Sequence, residues 1–96
     1  MIGVDEYVFH VLMRDLVGHD RSPSAFLVYL TLWGLAGGSS AAPVRVSLRD
    51  IAESTGLSKS AAQSALRILV RRKLLQVDKE SATAVPIYRV LRPWRR

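Results

Sequence analysis

Between Ser58 and Arg72 the chain reads SKSAAQSALRILVRR, and at the roughly 100° per residue of an α-helix this stretch sorts onto two sides. Ala62, Ala65, Leu66 and Leu69 fall together as a core face, while Ser60, Gln63, Ser64, Arg67 and Arg71 gather opposite, with no acid among them. Hydroxyl, amide and guanidinium groups donate and accept hydrogen bonds, and the guanidiniums carry fixed positive charge. The set suits the recognition of a polyanion and lacks the paired acid and base of bond-breaking chemistry. A plain solvated helix face is the competing reading, but such faces usually mix Glu with Lys. Ile68 and Val70 lie on the two flanks, too far apart for both to join one core.

The 96 residues carry a net charge of +6, very unevenly divided. Residues 1–58 hold four basic and six acidic side chains, whereas residues 59–96 hold ten basic and two acidic ones. Such asymmetry points to a polyanionic partner for the C-terminal half, a basic surface kept for solubility being the bland alternative. There are no cysteines, which removes disulfides, thiol catalysis and thiolate metal sites. His10 and His19 lack a carboxylate cluster at ligand spacing, so no metal is expected. No Ser sits in a nucleophile elbow, and Gly37–Gly38 is not followed by the Lys–Ser/Thr of a phosphate loop. Neither catalysis nor a cofactor is expected.

The uncharged run Ala25–Ala42 raises the question of a membrane. AFLVYLTLWGLA holds only 12 residues before Gly37–Gly38–Ser39–Ser40 interrupts it, short of the ~20 a span requires, so it reads as a core helix. The start, MIGVDEYVFH, has acids where a secretory signal would be positive, which makes the cytoplasm the expected location.

The elements that must position the polar face follow from spacing. Val4, Tyr7, Val8, Val11, Leu12 and Leu16 predict an amphipathic helix over 4–17, with Phe9 and Met13 widening its apolar side. Ser22 is a good N-cap and Pro23 suits the first turn of a second helix, which stops at Gly37–Gly38. Apolar all round, that helix should be central, and Gly34 inside it suggests a close helix crossing. A connector 38–43 leads to a short strand around Val44–Val46. Ser47 and Asp50 fit a capping box opening a short helix, LRDIAEST. Gly56 ends it, Leu57 plugs the corner and Ser58 caps the next helix, making a tight αα turn. After Lys73 the period changes to two: Leu74–Val77 and Val85–Leu91 read as antiparallel strands joined by the tip 78–84, with Pro86 at an edge position. The expected fold is therefore mainly α with a small antiparallel β-hairpin wing, as one domain over 1–96: an N-terminal helix extension (1–21), a central unit (22–91) and a basic tail (92–96).

This order is that of a winged helix-turn-helix. The run SLRDIAESTGLSKSAAQSALRILVRRKLL resembles the N-terminal DNA-binding domain of GntR-type bacterial regulators, and is similar to MarR-like regulators and to winged-helix modules of plasmid replication initiators. The motif combines Ser47, Ile51–Ala52, Gly56–Leu57–Ser58–Lys59, Ala65–Leu66, Leu69 and Leu74–Leu75. The resemblance implies double-stranded DNA as partner, with Lys59 reaching phosphate or base, Ser60 at the first turn, Gln63 and Ser64 at the second and Arg67 at the third. Gln suits adenine and Arg suits guanine in the major groove, while Lys59 and Arg71 would hold phosphates. Ser47, Lys79 and Arg89 complete the expected contacts, and Arg72 and the tail RVLRPWRR would add non-specific attraction. Trp94 in that tail could stack on an opened base or fold onto the domain.

Three departures stand out. Lys73 occupies a place where related domains often have Gly in left-handed backbone. The wing tip KESATA is poor in Arg, and no effector domain is expected after residue 91. MarR-like proteins dimerise through terminal helices, which implies a homodimer through residues 4–17; packing of that helix across its own domain is the alternative. The functional expectation is a small sequence-reading transcriptional regulator, with an initiator module or a protein-binding winged helix as the other readings.

Overall fold

The computed structural model describes residues 2–39, 42–81 and 84–95. Residues 40–41 of the expected connector, 82–83 of the expected tip, and Arg96 of the tail lie outside them. An N-terminal arm of two π-helical stretches, Val8–Leu12 and Arg14–His19, leads into helix α1 (Pro23–Leu35), strand β1 (Pro43–Arg45), helices α2 (Leu48–Thr55) and α3 (Lys59–Arg71), and strands β2 (Leu75–Asp78) and β3 (Ile87–Val90). The mainly helical chain with a small antiparallel sheet and an extra N-terminal helix is as expected.

The arm departs from the α-helix anticipated over 4–17. Its hydrogen bonds skip five residues, as in the Asp20 amide to the Asp15 carbonyl at 2.8 Å. That widens each turn, so residues four apart still stack while residues three apart do not. Val8, Leu12 and Leu16 are accordingly buried, whereas Tyr7 and Val11 leave the stripe. Phe9, Met13 and Val17 form a second four-residue stripe, 38–47% exposed.

Helix α1 begins as expected, with the Ser22 hydroxyl accepting from the Ala25 amide at 3.2 Å. It ends at Gly37 and Gly38, whose φ values of 67° and 77° a side chain would resist. It packs against the arm, α2, α3 and β3, and buries Phe26, Val28, Tyr29, Leu32 and Trp33. The Tyr29 hydroxyl donates to the Leu91 carbonyl at 2.8 Å and the Trp33 indole to the Gly3 carbonyl at 2.9 Å, so neither polar group is buried unpaired. The close crossing expected at Gly34 is not there: a Cβ at that position would meet nothing within 4 Å. Leu27 and Leu35 are also exposed, so the helix is central without being fully wrapped.

The sheet order is β1-β3-β2, all antiparallel. Leu75 pairs with Val90, and Val44 and Val77 flank Tyr88, on the face that meets the helices; Arg89, between Pro43 and Gln76, faces outward. β3 is thus the middle strand, contrary to the edge position expected from Pro86. Proline lacks an amide to donate, and the ladder simply starts one residue later, at Ile87. The Pro86 carbonyl accepts from the Val46 amide.

Lys73 adopts the left-handed conformation the resemblance anticipated, at φ 59°. A Cβ is crowded there, so Lys73→Gly should raise stability by about 0.5–1 kcal/mol, after the extra freedom glycine gains in the unfolded chain is subtracted. A shift of the urea midpoint at unchanged slope measures it.

Candidate nucleic-acid interface

The polar face depends on the corner between α2 and α3. Gly56 takes φ 76° and its amide bonds the Ala52 carbonyl, which turns the chain without a Cβ in the way. The Thr55 hydroxyl donates to the Ile51 carbonyl at 2.8 Å and accepts from the Leu57 amide at 3.3 Å, so the corner is stitched internally. Leu57 is half-buried against the core, and the Ser58 hydroxyl caps α3 by accepting from the Ala61 amide at 3.0 Å. At the start of α2 the Ser47 hydroxyl accepts from the Asp50 amide at 3.1 Å. Asp50 itself stays exposed and makes no return bond, so half of the expected capping box forms.

Ala62, Ala65, Leu66 and Leu69 seal α3 onto α1 and α2, as the helical spacing predicted. Lys59, Ser60, Gln63, Ser64, Arg67 and Arg71 are all exposed. Together they make one outward strip along a helix of 13 residues, about 20 Å of rise. Among the described residues no carboxylate pairs with Lys59, Arg67 or Arg71, so their charges are available to a partner. Ile68 is half-buried and Val70 stays out, as their flanking places implied.

The remaining expected contacts scatter. Lys79 is exposed at the start of the hairpin tip. Arg89 lies on the outer face of the sheet, 3.9 Å from the Asp78 carboxylate, and does not join the α3 strip. The Ser47 hydroxyl is committed to its cap. Arg72 turns the other way, to Asp15 at 3.6 Å and Asp20 at 3.5 Å, and ties the end of α3 to the arm.

The described part of the tail, residues 92–95, is not a free phosphate clamp. Arg92 is 7% exposed, its guanidinium 3.9 Å from the centre of the Trp33 ring and bonded to the Gly38 carbonyl. The Trp94 ring stacks on Tyr7 at 4.5 Å between centroids, and its indole donates to Asp5 at 3.0 Å. Arg95 grips the same carboxylate with two nitrogens. That guanidinium holds the Asp5 carboxyl below the usual range against the opposing effect of burial, with the Trp94 indole helping. Of the two readings of Trp94, the folded one holds. The ends of the chain latch together because an acid at position 5 and an aromatic at position 7 wait for them, a pairing that spacing within the tail could not reveal.

A further feature escaped sequence reasoning. Val70, Val77 and Tyr88 join Leu66 in an apolar groove beside Gln63, Arg67 and Arg71. Its signal was Val70, an apolar residue on the flank of a polar face.

No helix of the described residues is long and apolar enough to cross a membrane. A family model described as a helix-turn-helix domain matches residues 22–75, from the cap of α1 to the first residue of β2. No curated protein and no solved structure matches the chain.

Proposed function

The chain belongs to that helix-turn-helix domain family, and from this membership we propose that it reads double-stranded DNA by sequence, as a small cytoplasmic transcriptional regulator of GntR-like type. The carrying observation is the acid-free, exposed strip Lys59–Arg71 on a helix capped and cornered to stand clear of the core. A major groove about 12 Å wide admits such a helix. Gln63 and Arg67 then meet base edges with Ser60 and Ser64, while Lys59 and Arg71 hold phosphates on either side. The activity is binding, with no chemical step.

Selection from a random duplex pool tests the reading. Gln63→Ala or Arg67→Ala should cost about 1–3 kcal/mol on the selected site and relax preference at single positions. Lys59→Ala should weaken all duplexes alike. Equal losses on selected and random duplexes for all three changes, measured by anisotropy, would refute the roles.

The exposed stripe Phe9, Met13 and Val17 supports a homodimer through the arm, with half-sites about 34 Å apart. The wild-type chain should then sediment near twice its 10.7 kDa mass, and Met13→Glu should return it to monomer. A wild-type chain that sediments as monomer at tens of micromolar, and selects direct repeats instead of palindromes, would favour the initiator reading.

A further inference from the structure

We propose that the groove between α3 and the sheet binds a small apolar carboxylate, and that this occupant displaces DNA. The displacement rests on the reading just given; the binding does not. The groove is open to solvent along one side and offers about 380 Å³, within the size range of small-molecule sites. Leu66, Val70, Val77 and Tyr88 make its floor. Val70 and Val77 remain 43% and 38% exposed, apolar area that no part of the described chain covers. Burial pushes the Tyr88 phenol up, so it stays a neutral hydroxyl.

The rim is of the opposite character. Gln63, Arg67 and Arg71 border the floor, and no acid is among the lining residues. A guanidinium is a planar fork that matches a carboxylate with two parallel hydrogen bonds. An occupant must therefore carry an anionic head for the rim and an apolar body for the floor. A branched aliphatic or aromatic acid has both. A sugar-phosphate backbone satisfies the arginines but has no apolar body to fill the floor. Because Arg67, Arg71 and Gln63 are also the side chains assigned to DNA, an acid seated in the groove occupies them and places its body beside the recognition helix.

The test uses the full chain and 4-tert-butylbenzoate, with 4-tert-butylbenzamide as its uncharged match. Amide-resolved NMR titration should give saturable shifts at Val70, Val77 and Tyr88, half-complete at about 1 mM for a ligand of that size at ordinary efficiency. The benzamide should bind about tenfold more weakly, and so should the acid to Arg71→Gln. Val70→Thr, which keeps the shape and removes apolar surface, should weaken the acid several-fold. At matched ionic strength, about 10 mM acid should raise the apparent Kd of the selected duplex about tenfold by competition. No saturable shift at those three residues, or equal binding of acid and amide, would overturn the site. Unchanged duplex affinity with the groove filled would overturn the displacement. A chain that binds the acid but no duplex at all would sink the functional reading and leave the site standing.

Discussion

Between 50 and 200 mM salt, affinity for the selected duplex should fall about 10²–10³-fold, with a log–log slope near −4.5. The value follows from which cations of the basic C-terminal half the fold leaves free. Lys59, Arg67, Arg71, Lys73 and Lys79 are exposed and have no carboxylate partner among the described residues. About five neutralised phosphates give that slope at ~0.9 per contact. Arg72 is turned toward Asp15 and Asp20, Arg92 is buried on Trp33, and Arg95 is held by Asp5. Adding those three would steepen the slope to about −7 and the loss beyond 10⁴-fold. Anisotropy titrations at four salt concentrations separate the two cases. A slope near −7 would mean that Arg72 and the tail both leave their partners to bind DNA, and a flat response would end the case for a nucleic-acid partner.

Trp33→Ala should remove about 3–5 kcal/mol of stability and lower the melting temperature by about 15–30 °C. Trp33 is 1% exposed and lies at a junction. Its ring packs near Tyr29, carries the Arg92 guanidinium, and lies parallel to Trp94 at 6.4 Å. Its indole also holds the Gly3 carbonyl. Alanine leaves a cavity and removes the surface on which Arg92 rests. For a chain of this size, total stability is about 5–15 kcal/mol, so the variant sits near the edge of folding. Trp94→Ala is the comparison. That ring is half-buried, one face on Tyr7, and should cost about 1–2 kcal/mol. Thermal unfolding followed by circular dichroism reads both, and equal losses would contradict the central place given to Trp33.

The sequence was legible where local signals and burial agree. Ser22, Ser47 and Ser58 cap the helices they were expected to cap, because a cap is a bond over three residues and needs no distant partner. Gly56 and the small and apolar residues of α3 likewise state their roles locally. The α3 strip was therefore readable in full. Most of the misreadings involve contacts far apart in sequence. Gly34 reads as a crossing point, yet what passes a helix depends on the whole packing. Pro86 reads as the mark of an edge, but strand order is decided by β1, more than 40 residues earlier. Arg92 and Arg95 read as free cations because Trp33, Gly38 and Asp5, their partners, lie 54 to 90 residues away. The π-helical arm had no signal, since its Val8–Leu12–Leu16 spacing fits an α-helix equally well.

The latch between Asp5 and Trp94–Arg95 also sets when the molecule can become whole. The groups that cover and bond Tyr29 and Trp33, namely Val90, the Leu91 carbonyl, Arg92 and Trp94, leave the ribosome well after them, the Leu91 carbonyl 62 residues behind Tyr29. During synthesis that part of the α1 surface waits uncovered, and the latch closes a loop of 90 residues, an entropic toll no early intermediate can avoid. Assembly of this core thus waits until residues 88–95 have emerged. A nascent chain stalled before residue 90 would present its largest aromatic side chains to whatever chaperone is near.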